Sequence, residues 1–187
     1  MEPSVLDVFI LSMLDRGCET PYDLHRHGNL SLGAISPSLS RLLKEKLATR
    51  VEEVNATRRP RHRYALTRSG KQKARLGWKQ ILLSGEVPSD MDSLLRLADL
   101  ANHYKAPARL TVKMLESAGR QRLAKAEQLS ITVRETTANT YGDMRNRMDS
   151  ARLRAEGDAL LSLAEAFRGR SRRGKKNAGL RSLGDAD

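Results

Sequence analysis

Two groups of side chains stand out for the chemistry they could perform. Ser36, Ser38, Ser40, Arg41 and Lys44 lie within nine positions, and Arg58, Arg59, Arg61, His62 and Arg63 lie within six, around Pro60. Guanidinium and ammonium groups donate to phosphate oxygens, and an arginine can also grip a guanine edge with two parallel hydrogen bonds. Serine hydroxyls serve bases or phosphates. The pattern points to binding a polyanion rather than to bond making. No Gly-rich phosphate loop, nucleophile elbow or His-Glu-x-x-His run is present, so no catalytic residue is assigned and the chain is not read as an enzyme. Cys18, His25 and His27 match no standard zinc spacing and are read as ordinary residues, with no metal and no cofactor expected.

The charge balance agrees. The 187-residue chain carries 34 Lys and Arg against 22 Asp and Glu, a formal charge of +12. The excess is focused: positions 41–79 hold 13 basic residues and three acidic ones, while positions 86–167 hold 12 of each. Such a footprint fits nucleic acid better than a diffuse surface charge. A lone Cys18 excludes an internal disulfide and suits a reducing compartment. The start lacks a basic leader segment, and no apolar run approaches the ~20 residues that span a bilayer, so a cytoplasmic, nucleoid-associated protein without a membrane partner is expected.

The elements that must position these groups are legible in the periodicity. Leu6, Phe9, Ile10, Met13 and Leu14 mark one face of a first helix, with Gly17 after its end. Thr20, Pro21 and Asp23 read as cap, first-turn proline and acidic third residue of a second. Ile35, Leu39, Leu42, Leu43 and Leu47 define the buried side of a third, whose cap is either Ser31 or Ser36. In that projection Arg41 and Lys44 face outward with Ser38 and Ser40 at their flanks.

Thr49, Val51 and Val54, then Tyr64 and Leu66, form the arms of a hairpin with its turn at 55–60, and Thr67 caps a fourth helix carrying Ala74 and Trp78. A lone Trp on an apolar helix face is read as core, with a ligand pocket as the lesser alternative. Beyond Pro88 the chain is helical, with Leu94, Leu97, Ala98 and Ala101 on one face and a break at Lys105 to Pro107. The apolar positions Val112, Leu115, Leu123 and Leu163 are expected to need a second copy to cover them. Residues 169–187, rich in glycine and arginine, are expected to be disordered.

The expected fold is therefore mainly α with a small β-hairpin wing: a winged helix-turn-helix domain over 1–85, a helical dimerisation domain over 86–168 and a basic tail over 169–187. A helix about 10 Å wide fits the ~12 Å major groove of double-stranded DNA, with the hairpin reaching the backbone beside it.

These residues also resemble a known family, the PadR-type (phenolic acid decarboxylase regulator) transcriptional regulators. The likeness lies in Phe9-Ile10-Leu11-Ser12-Met13-Leu14, Gly17 and Tyr22-Asp23-Leu24; in the run from Leu32-Gly33-Ala34-Ile35 through Ser36-Pro37-Ser38-Leu39 to Ser40-Arg41-Leu42; and in Tyr64-Ala65-Leu66-Thr67-Arg68-Ser69-Gly70. The last looks like the family's Tyr-x-Leu-Thr-x-x-Gly, and a looser similarity covers 90–129. Ser36 stands where the family usually has tyrosine, and Thr20-Pro21 replaces a common glycine. The resemblance implies a homodimeric repressor on a palindromic operator, sometimes released by an unknown small-molecule effector. An architectural or plasmid-maintenance DNA-binding protein of low sequence preference is the alternative reading.

Overall fold

The computed structural model describes residues 4–54, 60–85, 87–135 and 140–181. In chain order they form α1 (Val5–Asp15), α2 (Pro21–Gly28), α3 (Leu32–Lys44), β1 (Ala48–Val54), β2 (Pro60–Leu66), α4 (Arg68–Ser84), α5 (Met91–His103), α6 (Ala108–Glu135) and α7 (Tyr141–Arg181). The protein is mainly α, with one two-stranded antiparallel hairpin in a winged-helix order. It divides into two compact units, 1–86 with 95–104 and 87–94 with 105–187.

In the first unit α1 is the central rod. Every side chain from Asp7 to Leu14 is buried, although the periodicity predicts only one apolar face, because α1 contacts α2, α3, α4 and β2 at once. Ser4 caps it by accepting from the Asp7 N–H at 3.1 Å. Helix α2 opens on the expected capping box, Thr20 with Asp23, and closes on Asn29 in the left-handed region at φ 49°.

The cap of α3 is Ser31, whose Oγ accepts from the Ala34 N–H at 3.2 Å. Pro37 therefore lies inside the helix and forgoes one backbone hydrogen bond. In return Ile35, Ser38, Leu39 and Leu42 stand on one buried side. That spacing of i, i+3, i+4 and i+7 is the core stripe itself, and it corrects the expected position of Ser38: it lies under the helix, 1% exposed.

The hairpin pairs Ala48 with Leu66 and Val54 with Pro60; of the expected turn at 55–60, Pro60 instead begins β2 and 55–59 lie outside the described residues. The Leu-Thr-x-x-Gly element that follows has a direct physical reading. Thr67 Oγ1 accepts from the Gly70 N–H at 3.0 Å and donates to the Lys46 carbonyl at 2.8 Å, so one hydroxyl both caps α4 and holds the end of α3. A Cβ on Gly70 would stand 1.9 Å from the Leu47 carbonyl oxygen. Only glycine lets these backbones meet. Trp78 is 4% exposed and stacks on Tyr104 with ring centroids 6.3 Å apart, as a core residue does.

In the second unit α6 and α7 run antiparallel. They approach closely at Gly119 and Gly157, where a Cβ on either would lie 3.0 Å from the carbonyl oxygen of the other. Arg122, with its side chain 8% exposed, donates to Glu156 at 2.9 Å and to the Ser89 carbonyl at 2.7 Å, so its buried charge is paired.

Two expectations change here. Val112 and Leu115 are buried within one chain, because the α6 and α7 pair with 87–94 makes a thicker layer than a single helix. The basic segment after Gly169 continues α7 as helix to Arg181; 182–187 lie outside the described residues.

Candidate nucleic-acid interface

The first unit presents α3 beside the hairpin. Ser36, Ser40 and Lys44 are exposed along one row of α3, together with Leu32, which is 59% exposed. Ser40 Oγ donates to the Ser36 carbonyl at 3.0 Å, a back-bond that commits its proton within the helix. Ser40 is itself exposed, so its oxygen can still accept.

Arg41 is exposed, as the helical projection predicts, but its guanidinium is engaged. Its Nη2 donates to Asp7 Oδ1 at 2.8 Å and its Nε to Asp7 Oδ2 at 3.3 Å, and Nη2 also donates to Ser38 Oγ at 2.9 Å. The hydrogen bond to Asp7, with the charge of that carboxylate, raises the Arg41 pKa above its ordinary value. The Asp7 side chain is 12% exposed and that of Arg41 45%. The pair ties α3 to the central helix and occupies the fork that a guanine would need.

On the hairpin, Arg63 is likewise engaged: its Nε donates to Glu19 Oε2 at 2.8 Å, and its Nη2 meets the same oxygen. The Tyr64 N–H donates to the Glu19 carbonyl at 2.8 Å, so β2 is fastened to the turn that precedes α2. His62 is half-buried and sits opposite Glu52, and Arg61 sits opposite Glu53 in the register. Arg58 and Arg59 lie outside the described residues. Of the ten expected contact residues, Ser36, Ser40 and Lys44 are exposed on one face, while Ser38, Arg41 and Arg63 are spent on internal contacts.

Two exposed groups escape periodicity arguments. Tyr22, at the start of α2, is 61% exposed, and Leu32 opens α3. Position in the first turn after a helix cap was the available signal for both, since first-turn side chains often point away from the core.

An open cleft of about 570 Å³ in the first unit is lined by Phe9, Met13, Arg16, Cys18, Asp23 and Asp99 among others. Among the described residues no three His, Cys, Asp or Glu side chains gather to hold a metal, and no helix is long and apolar enough to cross a membrane. His25 is instead bonded through Nδ1 to the Leu30 carbonyl at 2.7 Å.

No family model matches the chain, and no curated protein matches it. Among solved structures, the crystal structure of Bacillus subtilis PadR in complex with operator DNA is similar, with 19% identity, a TM-score of 0.40, and coverage of 87% of this chain and 96% of that one.

Proposed function

We propose that the protein is a sequence-specific DNA-binding transcriptional regulator of the PadR type, a repressor that acts as a homodimer on a palindromic operator. The observation that carries this reading is the exposed row of α3 beside the hairpin, together with the almost wholly basic sequence at 58–63. Helix α3 enters the major groove through its first turns, with Ser36 and Ser40 at base edges and Lys44 at the backbone. Arg58, Arg59, Arg61 and Arg63 neutralise phosphates, and His62 donates a ring N–H to one. The dimer forms through the helical second half, for which the exposed apolar row Tyr141, Met144 and Met148 on α7 is support, at 50–75% exposure. The cleft of the first unit supports a small-molecule effector, checked by screening for compounds that raise the Tm and release DNA.

The test is binding of the full chain to promoter-length and scrambled duplexes over a range of salt, followed by footprinting. A single protected palindrome is expected. Arg59→Ala should weaken binding equally on all sequences and flatten the slope of log affinity against log salt by about 0.9 if it neutralises one phosphate. Uniform coating of every duplex would instead favour the architectural role, and loss of binding to all DNA would end the proposal.

A further inference from the structure

The chemistry of the exposed face of α3 is unusual for a base reader. Leu32, Ser36, Ser40 and Lys44 follow one another every four residues, so they form a single row along the helix. From Leu32 to Ser40 the helix carries no ionisable side chain at all. The first cation is Arg41, and its guanidinium is held by Asp7 and Ser38.

At the N-terminal end the row begins with a leucine that is 59% exposed. Beside it, a Cβ on Gly33 would meet nothing nearer than Ser31 Oγ at 4.0 Å, so the space there is open and the backbone can come close to a partner. Pro37 adds a second exposed apolar surface on the next turn. At Ser40 the hydroxyl proton is already given to the Ser36 carbonyl, leaving an acceptor toward solvent.

These groups select their ligand. In the major groove the apolar feature is the C5-methyl of thymine, and the donors are the amino groups of adenine and cytosine. Guanine offers only acceptors there, and Leu32 and Pro37 have no donor to give it; the donors of the row, Ser36 and Lys44, lie further along the helix than Leu32. In helix-turn-helix docking the N-terminal residues of the second helix reach the base edges. On the reading that this is a DNA-binding regulator, we infer that α3 recognises a thymine at a fixed position of each half-site through contact of Leu32 with the C5-methyl group, that Ser40 accepts from an adjacent amino group, and that Arg41 reads no base.

The experiment uses the full chain. Bound duplexes are selected from a random pool, and the selected site is remade with each thymine replaced in turn by 2′-deoxyuridine, which removes only the methyl group. The wild type should lose affinity at one position per half-site by about fourfold, the value of one buried methyl, and Leu32→Ala should bind the thymine and uracil sites equally. Leu32→Met, which keeps an apolar side chain, should restore part of the difference. Circular dichroism of each variant establishes that the exposed position leaves folding intact. A preferred sequence whose affinity is unchanged by uracil at every position, or a Leu32→Ala protein that retains the full difference, would overturn the inference while leaving the regulator reading in place. Selection that returns no preferred sequence would overturn both.

Discussion

Arg41 of α3 and Asp7 of α1 meet in a two-point ion pair, Nη2 to Oδ1 at 2.8 Å and Nε to Oδ2 at 3.3 Å, across 34 positions of sequence. A fork-to-fork pair with one partner mostly buried is stronger than an ordinary surface bridge, and removing either member leaves the other without its match. A double-mutant cycle with Arg41→Ala and Asp7→Ala should give a coupling of about 1 kcal/mol in urea unfolding. Arg41→Ala should also lower affinity on all duplexes without changing the preferred sequence. A changed base preference would return Arg41 to the role of reader.

Gly70 should be intolerant of any side chain. The Cβ of alanine would overlap the Leu47 carbonyl oxygen at 1.9 Å, and that oxygen also accepts from the Thr67 N–H at 3.1 Å, so it cannot withdraw without losing the cap. Gly70→Ala is expected to cost about 3 kcal/mol or more, as for other substitutions that overpack rigid backbone. Thermal denaturation checks this, with Gly85→Ala as a comparison whose Cβ meets nothing but whose φ of 78° carries strain alone.

Cys18 should be a sluggish nucleophile. Burial pushes its thiol above the ordinary value and the Asp23 charge adds to the effect, outweighing Arg16, so less thiolate is present at a given pH. Alkylation by iodoacetamide at pH 8 should be slower than in the urea-unfolded chain. The folded state holds a proton that the unfolded chain releases near pH 9, so this group's contribution to stability should decline as pH rises above that value. Equal alkylation rates in the folded and unfolded protein would contradict the assignment.

The α7 row should govern self-association. Met148, 71% exposed, and Met144, 50% exposed, lie one turn apart with Tyr141 before them. Met148→Glu places a charge where an apolar partner surface is expected, so light scattering should report a shift from dimer to monomer with little change in helicity. An unchanged mass for Met144→Glu and Met148→Glu together would move the dimer interface elsewhere.

Local sequence decided a good deal of this protein. The caps at Thr20 and Thr67, the stop at Gly17 and Asn29, and the break before Pro107 depend on neighbours three or four positions away, which is the range over which backbone hydrogen bonds and helical periodicity act. The order of helices, hairpin and long helices followed, and so did the concentration of positive charge. What tertiary structure decided was the fate of particular side chains. A helical projection counts Arg41 as outward, but a guanidinium at the edge of a face goes to whichever carboxylate the packing delivers, and α1 delivers Asp7. Arg63 is drawn to Glu19 in the same way from 44 positions off. Ser38 completes the buried stripe between Ile35 and Leu42 because a small hydroxyl whose oxygen is satisfied by Arg41 fits where the helices meet. With these three engaged, Leu32, Ser36, Ser40 and Lys44 form the exposed row of α3 that can meet a ligand, since only long-range packing determines which polar groups are already satisfied before a ligand arrives.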